Sequence, residues 1–211
     1  MSSVISHIYM ADKLKDRYKL KNEFLYGAIL PDMLASTEVY NKKETHYLKK
    51  FEINGNIGDY PDIERYINEN YKELSVNQIK QGYLTHLIED QLWFSKYIPK
   101  LATKKGNDII LYSLDNSIHS EKEFSKHIYD DYPIMDRYLL KDRNINMETL
   151  KKEFLMLSTN NTITSNINKN FKLFDLQCNK FNLLTTDLIN EYIEEALSKV
   201  ILILDEFLYK K

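Results

Sequence analysis

The fold is indicated most clearly by one stretch near the middle of the chain, Gly82-Tyr-Leu-Thr-His-Leu-Ile-Glu-Asp-Gln-Leu-Trp-Phe94. Apolar residues recur here every three to four positions, which is the spacing of an amphipathic helix. Ser75 is predicted as the N-cap of this helix, which is expected to run to about Pro99. His86 and Asp90 lie four residues apart within it, so the spacing puts both side chains on one face.

Helical spacing also dominates the rest of the chain, and no strand alternation of useful length is visible. Gly and Pro together contribute only 9 of 211 residues (5 Gly and 4 Pro), which disfavours loop-rich β architectures. Residues 33 to 60 read as an irregular connection with one short helical piece, and Pro31 and Pro133 are expected to interrupt helices. Further helices are predicted at 4–19, 22–30, 62–72, 107–128, 147–158, 169–183 and 186–209. The prediction is a single all-α domain, a multi-helix bundle over residues 1–211.

Charge and cysteine content exclude several classes of protein. The 29 Lys and Arg residues balance 31 Asp and Glu, giving a net charge of −2, so a general nucleic-acid-binding surface is not expected. The longest aliphatic run near the C-terminus, Val200 to Leu204, is far too short to cross a bilayer. The N-terminus lacks the pattern of a signal peptide, and the single cysteine, Cys178, cannot form an internal disulfide. We therefore expect a cytoplasmic protein.

Three of the five histidines are followed four residues later by a carboxylate. The pairs are His86 with Asp90, His119 with Glu123, and His127 with Asp131. A single such pair is most simply a surface interaction of a few tenths of a kcal/mol. The His86 pair differs because its surroundings are strongly apolar, and buried ionisable groups must be paired or bind a metal. The residues alone leave both possibilities open, a metal site or a satisfied core pair.

Three segments together carry a resemblance to a known family. They are Phe24-Leu-Tyr-Gly-Ala-Ile-Leu-Pro-Asp32, then Thr45-His46, then the stretch from Gly82 to Trp93. This order of Pro-Asp, Thr-His and a Gly-containing His-x3-Asp helix resembles the zinc-dependent phospholipase C family, whose fold is shared with single-strand-specific zinc nucleases. The resemblance covers about the first half of the chain. It implies an all-α fold, consistent with the periodicity.

The resemblance also implies a set of metal ligands. Asp32, His46, His86 and Asp90 would surround one zinc, and Asp90 would bridge to a second zinc held by His7. A further site in the family uses a histidine shortly after the bridging aspartate, but residues 91 to 99 contain none. The later pair of that site would be His119 with Glu123 or His127 with Asp131. Members of the family also use a freed terminal amino group beside the first histidine, whereas residue 1 here is Met, so one or two Zn²⁺ ions are expected rather than three.

The implied activity is hydrolysis of a phosphodiester or phosphomonoester, in which metal-activated water attacks phosphorus. Asp32 would serve as ligand and general base. Imidazole and carboxylate ligands without thiolate suit Zn²⁺, and ligand type alone also allows Mn²⁺ or Fe²⁺. A small phosphorylated substrate is left by elimination. The aromatic residues Tyr83, Trp93 and Phe94 are expected in the core more than in a substrate cavity.

The alternative hypothesis is a non-enzymatic helical protein that keeps a partial metal site as a structural staple or ligand pocket. The missing histidine after Asp90 favours this alternative, while Asp32, which a structural site does not need as a base, favours the enzyme. Substrate identity, oligomeric state and the role of residues 140–211 stay open on sequence alone.

Overall fold

The computed structural model describes residues 3–35, 41–105, 108–111, 116–158, 160–171 and 180–209. The chain is mostly helical, as predicted. It is not all-α, because two small antiparallel sheets, of two and three strands, accompany the helices. In the described residues no helix is both long and apolar enough to cross a membrane.

The first two helices follow the predicted positions closely. Helix α1 spans Val4–Tyr18 and begins at Ser3, whose hydroxyl accepts a hydrogen bond from the Ser6 amide. Helix α2 spans Asn22–Leu34, so the prediction that Pro31 ends it is wrong. Proline lacks an amide hydrogen, yet the helix continues for one more turn because the side chains around it are buried in the core.

The segment between α2 and Asp62 is more regular than its sequence suggests. A short helix α3, Lys42–Thr45, begins with a capping box formed by Asn41 and Glu44. Strands β1 (Leu48–Ile53) and β2 (Asn56–Pro61) then form an antiparallel hairpin. The helical piece predicted around residues 44 to 51 is therefore correct only at its start.

The turn of this hairpin is Asn54-Gly55, with φ of 53° and 76°. A two-residue turn with both φ values positive suits the right-handed twist of the strands, and Asn-Gly is its preferred sequence. This dipeptide was the available signal for the hairpin. The strands show little alternation because most of their side chains are exposed or half-buried.

The helix predicted over residues 75–99 is observed as three consecutive helical segments, and a separate helix precedes it. Helix α4 spans Ile63–Leu74, and α5 spans Gln78–Leu92 with Asn77, not Ser75, as its N-cap. A π-helical turn, Trp93–Tyr97, and a short helix α6, Ile98–Leu101, continue the chain in nearly the same path. Trp93 and Tyr97 are fully buried against Tyr192, so Trp93 is a core residue as expected.

The predicted helix over 107–128 is wrong in its first half. Strands β3 (Ala102–Lys105), β4 (Asp108–Leu111) and β5 (Ile118–Ser120) form an antiparallel sheet in that order. Helix α7, Glu121–Lys141, starts only after Ser120, which forms a capping box with Glu123. The Ser-x-x-Glu spacing marks this start in the sequence.

Helix α7 passes through Pro133 without ending, contrary to the prediction. An interior proline costs about 3 kcal/mol of helix stability. Burial of Ile128, Tyr132, Met135 and Leu139 on both sides of it compensates, because one continuous apolar face packs into the core.

The described residues of the C-terminal third are mostly helical. It contains α8 (Met147–Leu157), α9 (Asn161–Asn170) and α10 (Thr186–Leu208). The first and last of these match the predictions to within one residue. The helix predicted at 169–183 is not seen at residues 180–183, and its central part, 172–179, lies outside the described residues.

The contact between α2 and α5 positions most of the polar residues considered below. Gly27 and Gly82 lie at this crossing, where a Cβ on Gly82 would stand 2.0 Å from the Phe24 carbonyl oxygen. A Cβ on Gly27 would stand 2.1 Å from the carbonyl oxygen of Ile79. Glycine therefore permits the two backbones to approach more closely than any other residue would.

Candidate metal centre

Five polar side chains from four parts of the chain meet inside the helical core. His7 lies on α1, Asp32 in the last turn of α2, His46 directly after α3, and His86 and Asp90 on α5. All five residues are buried, with His7, His46 and His86 at 0% exposure. The structure thus brings together the five residues of the predicted set.

Four ligand-type atoms of this cluster lie at metal-like spacing. His46 Nε2 is 3.1 Å from Asp32 Oδ1, 3.3 Å from His86 Nε2 and 3.7 Å from Asp90 Oδ2. His86 Nε2 is 3.9 Å from Asp32 Oδ1 and 3.7 Å from Asp90 Oδ2. Ligands bound at about 2.0–2.1 Å in a tetrahedron are about 3.3 Å apart. Asp32, His46 and His86 form one group of ligand atoms that all lie within 4.8 Å of one another, and His7, His86 and Asp90 form a second such group.

The Asp90 carboxylate connects this group to His7. Its Oδ2 faces His46 and His86, while its Oδ1 lies 3.6 Å from His7 Nε2. The rings of His7 and His86 are stacked with centroids 3.8 Å apart. Asp90 therefore stands in the position of a carboxylate shared between two neighbouring sites, although His7 is the only additional imidazole among the described residues at the second one.

In both His86 and His46, the ring nitrogen that points away from the cluster contacts another group of the protein. His86 Nδ1 donates to the carbonyl oxygen of Ala28 at 2.7 Å, which leaves its Nε2 lone pair facing the cluster. His46 Nδ1 lies 2.9 Å from the Thr45 hydroxyl. Such outer contacts orient metal-binding imidazoles and select their tautomer.

Glu89 holds the outer ring nitrogen of His7 in the same way. The sequence analysis did not predict this residue. His7 Nδ1 donates to Glu89 Oε2, and both side chains are completely buried. A second acidic residue next to Asp90, within an apolar stretch, was the available signal. The ring of His7 is thus held between two carboxylates, with Glu89 behind it and Asp90 in front.

The charges of the cluster differ sharply between its members. Burial alone would lower the pKa of His7, but the carboxylates of Glu89 and Asp90 outweigh it and raise the pKa to about 10. Burial, with the positive charge on His7, lowers the pKa of His86 to about 3. Burial opposes ionisation of Asp32, yet attraction to His86, His46 and His7 lowers its pKa overall. The cluster thus combines anionic carboxylates with a neutral His86 imidazole.

One atom of the cluster lacks a partner. Asp32 Oδ2 is buried and accepts no hydrogen bond from any described residue. An unsatisfied buried carboxylate oxygen is costly, and a metal ion or an ordered water would satisfy it. The donor set of imidazole nitrogens and carboxylate oxygens is of a type that suits a divalent ion such as Zn²⁺.

The two other histidine pairs serve different roles. His119 lies on β5, so the expectation that it shares a helix face with Glu123 is wrong, and Glu123 caps α7 instead. Asp131 is buried and accepts hydrogen bonds of 2.6 to 2.8 Å from Asn182, Leu183 and Leu184. His127 lies on α7 with its ring centroid 6.2 Å from that of His119. Neither pair belongs to the two groups of clustered ligand atoms among the described residues.

Comparison with known proteins does not assign this arrangement to a family. No protein family, curated protein or solved structure matches the chain.

Proposed function

We propose that the protein is a metal-dependent phosphoester hydrolase whose site binds one or two divalent ions, with Zn²⁺ as the principal ion. The observation that carries the proposal is a buried cluster in which the His46 and His86 rings lie 3.3 Å apart at Nε2 and each lies 3.1 to 3.9 Å from carboxylate oxygens of Asp32 and Asp90. Neutral His86, with its Nδ1 already donating to a carbonyl, presents its Nε2 lone pair to a cation.

Two residues would have distinct roles beyond binding the ion. Asp32 has one oxygen beside His46 and a second without a partner, so the second can orient a water molecule and accept its proton. One oxygen of Asp90 faces His7 and the other faces His86, so this carboxylate would fix the positions of the two rings relative to each other. The bound ion, as a Lewis acid, supplies stabilisation of negative charge on the phosphoryl oxygens.

The choice of a phosphoester as substrate rests on the resemblance to the zinc-dependent phospholipase C family. The residues that carry it, Pro31-Asp32, Thr45-His46 and the His86–Asp90 helix, are the same residues that meet in the cluster. This agreement between motif and geometry supports phosphorus chemistry over other metal-assisted hydrolyses.

A second candidate function is a structural metal site without catalysis. It is favoured by the depth of the cluster, whose five residues are at most 8% exposed. An ion there would tie α1, α2, α5 and the segment after α3 together, as structural zinc does in small domains.

The first experiment measures metal content by elemental analysis of protein purified without chelator. The parent and a His119→Ala control should retain one or two Zn per chain, and His86→Ala should lose at least one. Equal metal content in all three, or none after reconstitution with Zn²⁺, would contradict the proposed metal site.

The second experiment separates the two candidate functions. Hydrolysis of bis(p-nitrophenyl) phosphate is followed for the zinc-loaded parent and for Asp32→Asn. The hydrolase proposal predicts turnover by the parent and a loss of about 10²-fold or more in Asp32→Asn, in line with removal of a general base. Retained zinc with no turnover in either protein would support the structural site.

A further inference from the structure

A small cavity lies beside the cluster, between α3, the π-helical turn and α7. Its volume is about 150 Å³. Its walls are apolar and largely aromatic, formed by Phe94, Phe124, Ile128 and Tyr132, and Lys42 lies at its edge. Phe94, expected in the core, is only half-buried and faces this cavity.

Two residues that line this cavity, Lys42 and Phe94, each lie one helical turn from a residue of the cluster. Lys42 is one helical turn before His46, whose amide donates to the Lys42 carbonyl at 3.0 Å. Phe94 follows Asp90 by about one turn. The cavity is therefore one helical turn from His46 on one side and from Asp90 on the other.

The size and lining of the cavity indicate what it accepts. A cavity of about 150 Å³ with apolar walls has room for one benzene-sized group. The rings of Tyr129 and Tyr132 meet edge to face at 5.6 Å, an arrangement that a further aromatic ring can extend. The Lys42 amine stands 5.5 Å from the centre of the Phe94 ring, so a cation borders the apolar wall.

We propose that this cavity binds the ester group of the substrate, and that this group is a single aromatic ring attached to the phosphoryl group. Lys42 would then contact the anionic phosphoryl oxygens at the rim. This inference rests on the proposed phosphoester hydrolase function and adds the chemical class of the group that the site selects.

The test compares two hydrolysis-resistant probes, phenylphosphonate and methylphosphonate, by titration calorimetry on the zinc-loaded protein. We expect phenylphosphonate to bind about tenfold more tightly, because its phenyl ring is transferred from water into the apolar cavity. Ile128→Trp, which fills the cavity, should remove this preference while the zinc content stays the same.

A second pair of variants tests the rim without disturbing the core. Lys42→Ala should weaken both phosphonates by a similar factor of about three to ten, whereas Lys43→Ala, its exposed neighbour on α3, should bind as the parent does. Lys42→Ala indistinguishable from Lys43→Ala would overturn the role of Lys42.

The outcomes distinguish this inference from the proposed function. Equal affinity for the two phosphonates in the parent would overturn the aromatic subsite and leave the hydrolase proposal standing. Failure of zinc-loaded protein to bind either phosphonate would overturn the phosphoester function and the subsite together.

Discussion

Replacing Gly82 with alanine tests whether the α2–α5 crossing determines the geometry of the cluster. The added Cβ would lie 2.0 Å from the Phe24 carbonyl oxygen and 2.8 Å from the Ala28 amide nitrogen. Ordinary contact begins near 3.4 Å, so the helices must separate by about 1.4 Å. Both opposing atoms belong to the backbone, which cannot move aside as a flexible side chain would.

The same displacement would break a contact of the cluster. His86 Nδ1 donates to the Ala28 carbonyl at 2.7 Å, one turn along the crossing, and a shift of this size takes the pair beyond hydrogen-bonding distance. Overpacking typically costs 1–3 kcal/mol, and the lost hydrogen bond about 1 kcal/mol more. We expect the free energy of unfolding to fall by about 3 kcal/mol and zinc affinity to fall with it.

The assay is chemical denaturation of the metal-free protein, followed by zinc titration with a chromogenic competitor. Gly55→Ala is the matched control, because its φ of 76° strains alanine but no atom lies within 4 Å of the new Cβ. The control should cost about 1 kcal/mol and leave zinc affinity unchanged. If the stability of Gly82→Ala lies within about 0.5 kcal/mol of the control, the usual range for surface substitutions, the close crossing does not determine the stability and the reasoning is refuted.

Three further changes test single side chains. Glu89→Gln keeps a hydrogen-bond acceptor behind His7 but removes its charge, so zinc affinity should fall about tenfold or more in a competition titration; unchanged affinity would contradict the orienting role. Asp131→Asn places an amide donor against backbone amide donors of Leu183 and Leu184, and denaturation should show a loss of about 3 kcal/mol; a loss below about 1 kcal/mol would show that these contacts matter little. Burial raises the pKa of Asp136 to about 7. The folded state therefore favours its protonated form, this contribution is fully present only below the ordinary pKa of 3.8, and it is lost as pH rises through 7. Asp136→Asn, which cannot ionise, should gain stability relative to the parent between pH 5 and pH 8, and a constant difference would speak against the raised pKa.

Helices with strong caps and continuous apolar faces could be predicted from local sequence. α1, α8 and α10 match within one residue because each begins at a Ser, Asn or Thr cap, and α8 and α10 in addition carry one buried face. The missed strands are short and carry exposed side chains, and their pairing depends on a partner strand more than on their own pattern. Helix α9 was also missed. Pro31 and Pro133 were misread because burial on both sides outweighs the local preference of proline.

Local spacing alone determined that His86 and Asp90 share a face of one helix, since residues four apart on a helix are neighbours whatever surrounds them. The same rule misled at His119, because a strand lies where the spacing assumed a helix. The grouping of His7, Asp32 and His46 with this pair was implied by a resemblance and by no spacing within the chain.

Only the tertiary structure decided how these side chains meet. The close α2–α5 crossing at Gly27 and Gly82 brings Asp32 to His86, and the packing of α1 places His7 between Asp90 and Glu89. It also decided that Asp131 anchors a backbone segment instead of facing the cluster. Contacts between residues distant in sequence depend on how whole helices pack, and no local pattern records that geometry.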